Sequence, residues 1–130
     1  MIVTLSAAQV TALHGELLEN FGGRSGLRDR AALEAAAARP GMTFDGEDLH
    51  PDLASKAAAL MHSLVVNQPF VDGNKRVGAA AAELVVEVNG HRLLASDAEF
   101  EKVTVSTARG GMSAEALAIW FRQRVEPVSG

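Results

Sequence analysis

Apolar residues recur three or four positions apart through most of the chain, which is the spacing of amphipathic helices. The first such segment follows Ser6 and Gln9, which together match a capping box, and it stops at Gly22. Five more helical segments follow, each bounded by capping residues, glycine or proline. They are predicted at residues 30–39, 51–67, 74–89, 97–109 and 114–121.

The segment "VGAAAAELVVEV", residues 77–88, is apolar on nearly every side of a helix, which predicts that the fourth helix lies at the centre. No stretch alternates apolar and polar residues over a useful strand length. We therefore predict an all-α fold, a compact bundle of about six helices around a central buried helix. The 130 residues correspond to one domain, expected at 1–126 with a frayed tail at 127–130.

The segment "GMTFDGEDLH", residues 41–50, separates the second and third predicted helices and is too short for another helix. Asp45 and Gly46 form a dipeptide that is typical of tight turns. Met42, Thr43 and Phe44 are placed to form a short exposed strand that pairs with a partner. A plain surface loop fits the same composition equally well.

Composition narrows the classes of function. Apolar residues make up 48% and charged residues 22%, as in packed globular proteins. The net charge of −4 argues against a general nucleic-acid-binding protein, because such proteins need a basic surplus to neutralise phosphates. The chain has no cysteine, no apolar run long enough to span a bilayer and no secretory leader pattern. We therefore expect a soluble cytoplasmic protein that binds neither nucleic acid nor membrane.

The candidate chemistry lies in "VDGNKR", residues 71–76, at the start of the fourth predicted helix. The first backbone N–H groups of a helix lack internal acceptors and lie at the positive end of its dipole. Gly73 would admit a phosphate close to the backbone, and Lys75 and Arg76 add positive charge. Asp72 beside a phosphate suits Mg²⁺, so these residues indicate a metal–nucleotide triphosphate site. Ordinary helix capping with a solvated first turn fits the same residues about equally well.

The stretch "QPFVDGNKR", residues 68–76, resembles the signature of the Fic/Doc family, His-Pro-Phe-x-Asp/Glu-Gly-Asn-Gly/Lys-Arg. Seven of the eight specified positions match, namely Pro69, Phe70, Asp72, Gly73, Asn74, Lys75 and Arg76. The resemblance extends over roughly residues 26–120 and includes "GLRDRAALEAAAARP" and "NGHRLLASDAEF". It implies a small all-α bundle, in agreement with the helical pattern.

The resemblance also implies a role for each matching residue. Asp72 would hold Mg²⁺. Gly73, Asn74 and Lys75 would present their backbone amides to an anion, and Arg76 would contact the phosphates of ATP. Together with Gln68, at the position of the family's histidine, Asp72, Lys75 and Arg76 would form the catalytic group.

Two protein partners follow from the resemblance. Residues 41–49 match the family's flap, in which Thr43 and Phe44 would align a target protein by strand addition. The family's self-inhibiting motif, Ser/Thr-x-x-x-Glu followed by Gly or Asn, is absent, because Gly15 stands four residues before Glu19. A separate antitoxin protein is therefore the expected inhibitor.

Two positions bear on which reaction the resemblance implies. Lys75 stands where family members that transfer AMP have glycine, and Ala79 stands where they have a second arginine. Both residues favour the Doc branch, whose toxins transfer the ATP γ-phosphate to a threonine of translation elongation factor Tu. AMP transfer of the Fic type is the alternative reaction.

Gln68 replaces the histidine that accepts the proton of the attacking hydroxyl in the family. A Gln amide has no usable basicity, and loss of a general base costs ~10²- to 10⁴-fold in rate, whereas electrostatic positioning is unaffected. We therefore expect nucleotide binding to be retained and phosphoryl transfer to be weak or absent. The replacement is either natural, in a degenerate member, or engineered or recent. The intact neighbouring positions favour the second origin.

None of the four histidines is an evident substitute for the missing base. His62 is expected to be a structural residue that points into the bundle. His14, His50 and His91 are expected on helix or loop surfaces without motif context. Two functions therefore compete with a crippled phosphotransferase: a catalytically dead nucleotide-binding regulatory module, and a helical interaction protein without a ligand.

Overall fold

The computed structural model describes residues 1–129, which form six α-helices, one 3₁₀ turn and two small two-stranded sheets. The helices are α1 Ala7–Phe21, α2 Arg30–Ala38, α3 Leu53–Asn67, α4 Asn74–Val88, α5 Asp97–Ala108 and α6 Ala114–Arg122. The strands are β1 Thr43–Phe44, β2 Glu47–Asp48, β3 His91–Leu93 and β4 Val125–Pro127. The predicted all-α bundle is confirmed. Among these helices none has the length and hydropathy needed to cross a membrane.

Side-chain caps explain where five of the helices begin. In each, the N-cap side chain accepts a hydrogen bond from the backbone N–H three residues on, which satisfies a donor that the helix leaves free. These caps are Ser6, Asp29, Asp52, Ser96 and Ser113. Helix α4 differs, because Gly73 at its N-cap has a left-handed conformation, with φ 78°, and offers no side-chain acceptor. The first-turn amides of α4 therefore remain available to another acceptor.

The central helix is α3 rather than α4. Eleven of its 15 residues are buried, whereas six residues of α4 are buried. The prediction that the fourth helix lies at the centre is therefore wrong. Helix α4 packs one face on α3 and leaves Glu83 half-buried and Val88 exposed. The four consecutive alanines of α4 explain why the prediction failed, since alanine occurs on both the buried and the exposed sides of a helix.

Helices α3 and α4 approach each other closely at Gly78. A Cβ added there would lie 2.5 Å from Val65 Cγ2 and 3.4 Å from the Met61 carbonyl oxygen, so only glycine fits without a shift. The pair is joined by the short loop between Asn67 and Asn74. This close contact between the helices therefore determines where the two ends of the loop between Asn67 and Asn74 lie.

The predicted flap between α2 and α3 is a β-hairpin. Thr43 pairs with Asp48 and Phe44 pairs with Glu47. The two turn residues, Asp45 and Gly46, both have positive φ, of 54° and 82°, which is the requirement of a type I′ turn. The structure supports the strand interpretation of this segment over a plain loop, but the strand pairs with β2 of the same chain. Pairing with a partner protein stays a prediction.

The second sheet was not predicted. Strand β3 pairs antiparallel with β4, with His91 opposite Pro127 and Leu93 opposite Val125. The Val128 amide also donates to the Gly90 carbonyl at 2.9 Å. The predicted frayed tail therefore begins inside a paired strand, and its last residue, Gly130, lies outside the described residues. Three-residue strands are too short to produce an alternating pattern that sequence can reveal.

Candidate functional site

Backbone hydrogen bonds clamp the loop between α3 and α4. The Pro69 carbonyl accepts from the amides of Arg28, at 2.7 Å, and Asp29, at 3.0 Å. The Val71 amide donates to the Gly26 carbonyl at 2.9 Å. These bonds connect the loop to the segment before α2, so the signature residues are presented from a backbone that is held on both sides.

Gln68 lies at the C-cap of α3 in a left-handed conformation, with φ 49° and ψ 63°. Its carbonyl accepts from Arg28 Nε at 2.8 Å, and Arg28 Nη2 donates to the Asn67 carbonyl at 2.7 Å. Residues with a Cβ seldom adopt this conformation, which is most often seen where function or tight packing imposes it. The Gln68 residue is exposed. Arg28, which sequence reasoning missed, helps to hold it there.

The Asp72 carboxylate is oriented by two backbone amides. Its Oδ2 accepts from the Arg24 amide and its Oδ1 from the Gly73 amide, both at 2.9 Å. These hydrogen bonds, the one from Arg24 first and that from Gly73 second, lower the pKa of the Asp72 carboxyl below its ordinary value. Asp72 is therefore ionised at neutral pH and suited to a divalent cation. The Gly73 amide faces this carboxylate, which differs from the prediction that it faces a bound anion.

The Asn74 side chain closes the loop on itself. Its Oδ1 accepts from the Phe70 amide at 3.0 Å, and its Nδ2 donates to the Phe70 carbonyl at 2.9 Å. This side chain therefore has a structural role, and the binding of an anion by the Asn74 backbone amide stays a prediction. Its amide is the first in α4, followed by those of Lys75 and Arg76.

Two exposed cations flank the uncapped start of α4. Within residues 1–129, neither Lys75 nor Arg76 has a carboxylate within 4.0 Å or forms a side-chain hydrogen bond. The Arg76 guanidinium instead lies over the Phe21 ring, with Cζ 4.5 Å from the ring centroid. Their positive charges are therefore not neutralised by the protein, next to helix amides that also favour an anion.

The predicted surface position of His14 is wrong. His14 is 5% exposed, and its ring stacks on Phe70 with centroids 3.8 Å apart and an interplanar angle of 6°. Its Nε2 lies 2.7 Å from the Asp72 carbonyl oxygen. His14 thus packs against the buried side of the loop between α3 and α4 and stabilises it. A sequence signal existed, because His14 follows the buried Val10 by four residues and so lies on the same face of α1.

His62 also differs from its prediction, since it is half-buried and lines a cleft instead of pointing into the core. The cleft, of about 240 Å³, is also lined by His50, Arg39, Asn67 and Glu115. Burial is the main cause that lowers the pKa of both imidazoles below the ordinary value. The cleft lies between the end of the flap, α3 and the start of α6, so these two histidines face a surface beside the flap.

The flap presents an unpaired strand edge to solvent. Both Thr43 and Phe44 are exposed, and Phe44 is 74% exposed, which is unusual for a phenylalanine without a partner. The base of the flap is anchored by the buried Lys56, whose Nζ donates to the Pro40 carbonyl at 2.9 Å. An ordered two-stranded hairpin with a free edge can accept a further strand.

The residues fit a magnesium nucleotide better than a free metal ion. Residues 1–129 contain no group of three or more His, Asp or Glu side chains that could hold a metal. Mg²⁺, however, is commonly bound by one or two carboxylates together with substrate phosphates and water. A single ionised Asp72 beside an anion-binding helix start meets that requirement only when the phosphates are present.

Comparisons with known proteins identify the family of the chain. The family model described as the Fic/DOC family matches residues 4–86, which is more than half of the chain. Over 75 residues the chain is 49% identical to the protein named Toxin Doc from Mycolicibacterium smegmatis, which covers 58% of this chain and 58% of that protein. Over 119 residues it is 28% identical to Protein kinase doc from Escherichia phage P1, which covers 92% of this chain and 93% of that protein. The match spans little more than half the length of the first relative and nearly all of the second.

Proposed function

Because this chain belongs to the Fic/DOC family, we propose that it is a Doc-type toxin whose site serves to transfer the γ-phosphate of ATP to a threonine hydroxyl of elongation factor Tu. The observation that carries the proposal is the uncapped start of α4, where an ionised Asp72 lies beside the unpaired cations Lys75 and Arg76. The names of the two relatives, Toxin Doc and Protein kinase doc, support the choice of branch.

Each residue of the site has a distinct task in this proposal. The backbone amides of Asn74, Lys75 and Arg76 donate hydrogen bonds to phosphate oxygens of ATP, and the two cationic side chains also bind phosphate oxygens. Asp72 holds Mg²⁺ by its ionised carboxylate. When bound, Mg²⁺ neutralises phosphate charge and thereby favours displacement at phosphorus. The clamp on the loop keeps these groups in place before the nucleotide arrives, which lowers the entropic cost of binding.

Transfer of the γ-phosphate is favoured over transfer of AMP by two residues of α4. Lys75 is exposed and unpaired at the second helical position, where AMP-transferring members have glycine. Ala79, half-buried one turn further on, cannot supply the second arginine of those members. The charge available to a triphosphate is thus concentrated at the helix start.

Gln68 leaves this form inactive or impaired. The threonine hydroxyl must lose its proton as its oxygen attacks phosphorus and the bond to the leaving oxygen of ADP breaks. The exposed Gln68 amide cannot take that proton, and the loss of a base costs ~10²- to 10⁴-fold in rate. ATP binding does not need the base and is retained.

The proposed partners act on different surfaces. The target threonine is aligned by strand addition to the free edge at Thr43 and Phe44, close to the cleft beside the flap. An antitoxin protein silences the active form. Elongation factor Tu acts in the cytoplasm, so the proposal places this activity there.

The test is to restore the base. The variant Gln68→His, incubated with Mg²⁺ and elongation factor Tu, is expected to transfer label from γ-labelled ATP and not from α-labelled ATP. The matched control is Gln68→Asn, because asparagine tolerates the left-handed conformation and has no basicity. Label from the α-position would indicate AMP transfer instead.

Absence of label of either kind with Gln68→His would refute the enzyme proposal. In that case calorimetry separates the two remaining functions. Binding of ATP with Mg²⁺ but without turnover supports a nucleotide-binding regulatory module, which the intact cations and the non-basic Gln68 favour. No binding of ATP, with or without Mg²⁺, indicates a helical interaction protein without a ligand.

A further inference from the structure

Phe21 is the last residue of α1 and is 63% exposed, although it is a large apolar side chain. Its ring lies beneath the Arg76 guanidinium, with Cζ 4.5 Å from the ring centroid. We propose that Phe21 is a positioning residue for Arg76. The Phe21 ring contacts one face of the Arg76 guanidinium and leaves the N–H groups at the edge of the guanidinium free to bind phosphate. This inference rests on the proposed function, in which Arg76 binds nucleotide phosphates.

The geometry of the guanidinium is the reason for this assignment. The group is planar, its five N–H donors point outward in the plane, and its two faces carry no hydrogen-bonding atoms. An aromatic ring attracts the cation through a face, whereas a carboxylate occupies the donors at the edge. Within residues 1–129, Arg76 has no carboxylate within 4.0 Å and donates no side-chain hydrogen bond. Phe21 therefore restrains Arg76 without using the atoms that bind an anion.

A second stacked arginine in the same chain shows the contrast. Arg124 lies over the Trp120 ring, with Cζ 4.6 Å from the centroid. Its Nε also donates to Glu99 in an ion pair, and its Nη1 donates to the Trp120 carbonyl at 3.2 Å. The edge of Arg124 is thus occupied by the protein and its role is structural. Arg76 has the stacking without the ion pair.

The chain just after Phe21 also orients Asp72. A Cβ added at Gly23 would lie 3.0 Å from Asp72 Oδ2, and the Arg24 amide donates to that oxygen. One short segment, residues 21–24, therefore restrains the cation and the carboxylate. Asp72 and Arg76 lie more than 4.0 Å apart, since no ion pair forms between them within the described chain. Keeping these opposite charges separate leaves both available to a magnesium nucleotide.

The test measures ATP affinity by calorimetry in the presence of Mg²⁺, with the chain carrying Gln68 so that turnover does not interfere. Phe21→Leu is expected to weaken ATP binding about two- to fivefold, the range of an exposed cation–π contact. Phe21→Trp, which keeps an aromatic face, is expected to bind at least as tightly as the unmodified chain. The control Ile119→Ala removes another exposed apolar side chain, on α6, and is expected to leave ATP affinity unchanged.

A double-mutant cycle distinguishes positioning from general packing. If Phe21 acts through Arg76, Phe21→Leu has no further effect on ATP affinity in the Arg76→Gln background. Full additivity of the two substitutions would overturn the inference. So would equal affinities of the unmodified chain and Phe21→Leu. Because Phe21 is exposed, the variants are expected to retain the thermal unfolding midpoint of the unmodified chain, which confirms folding.

The two proposals fail in different ways. If the unmodified chain binds ATP and Phe21→Leu binds it equally well, only the role of Phe21 is refuted. If the unmodified chain does not bind ATP at all, the proposed function is refuted, and the inference that rests on it is refuted as well.

Loss of the upfield ring-current shift of the Arg76 side-chain protons in Phe21→Leu would demonstrate the contact in solution.

Discussion

At the scale of single residues, the backbone sets the direction of the side chain at position 68. Gln68 has a left-handed conformation, and its carbonyl is bonded by Arg28. These constraints act on the main chain and do not depend on which side chain is present. A histidine introduced at position 68 is therefore expected to have the same backbone conformation and the same Cα–Cβ direction as Gln68. For this reason the variant Gln68→His tests the site without altering the loop.

Asp72 is the residue through which magnesium is expected to act. Asp72→Asn keeps the size of the side chain but removes its charge. It also replaces one of the two carboxylate oxygens, each of which accepts a hydrogen bond from a backbone amide, with an NH₂ group that can only donate. We expect the variant to weaken ATP binding in Mg²⁺ at least about tenfold, since losing an interaction with a charged group costs on the order of 1.5–3 kcal/mol. Calorimetry with and without Mg²⁺ measures this difference.

The matched control is Glu34→Gln, which removes one exposed carboxylate on α2, outside the site. It is expected to leave both affinities unchanged. If Asp72→Asn bound ATP with the same dependence on Mg²⁺ as the unmodified chain, Asp72 would not be the metal ligand.

At the scale of elements, the contact between α3 and α4 holds the site together. Gly78 brings the two helices close enough that an added Cβ would lie 2.5 Å from Val65 Cγ2. Val65 is buried, with 1% exposed, and its β-branched side chain has little freedom to move away. The absence of a side chain at position 78 therefore determines the separation of α3, which ends just before Gln68, and α4, which begins at Asn74.

Gly78→Ala is expected to destabilise the protein, although alanine is the better helix former by about 1 kcal/mol. The overpacking at Val65 costs about 1–3 kcal/mol and so offsets that gain. We expect a net loss of up to about 2 kcal/mol in the free energy of unfolding, measured by urea denaturation. The second substitution Val65→Ala makes room for the new Cβ, so the double variant should lose less than the sum of the single ones. Simple additivity would show that the contact is not tight.

At the scale of the whole molecule, the cleft beside the flap makes stability depend on pH. His50 and His62 come from different elements and meet there with Arg39 and Glu115. Burial lowers the pKa of both imidazoles below 6.5, and Lys56 contributes further at His50. Asp52 keeps its charge through this range, because its hydrogen bond with Arg122 holds the pKa of that carboxyl well below its usual value.

The lowered pKa values of His50 and His62 determine whether acid stabilises or destabilises the protein. Below about pH 6.5 the unfolded chain takes up protons at His50 and His62 more readily than the folded chain. The free energy of unfolding is therefore expected to fall as the pH drops from 7.5 to 5.5, and to recover on return to neutral pH. Urea denaturation at several pH values measures the slope. The variant with both His50→Gln and His62→Gln should show a flatter profile, and an unchanged slope would contradict this explanation.

The sequence alone determined the helical class and most helix bounds, because caps and apolar spacing are local features. It also indicated the family, since seven signature residues fall within the single short stretch 68–76. It could not show that α3 is central, because the alanines of α4 suit either environment.

Only the tertiary structure showed that α1 supports the site. His14 lies under Phe70, and Phe21 lies under Arg76, although more than 50 residues separate the members of each pair. Such contacts depend on how helices pack, which local sequence patterns do not encode. The residues 68–76 therefore indicated a candidate site from the sequence alone, while the groups that orient it were decided by the fold.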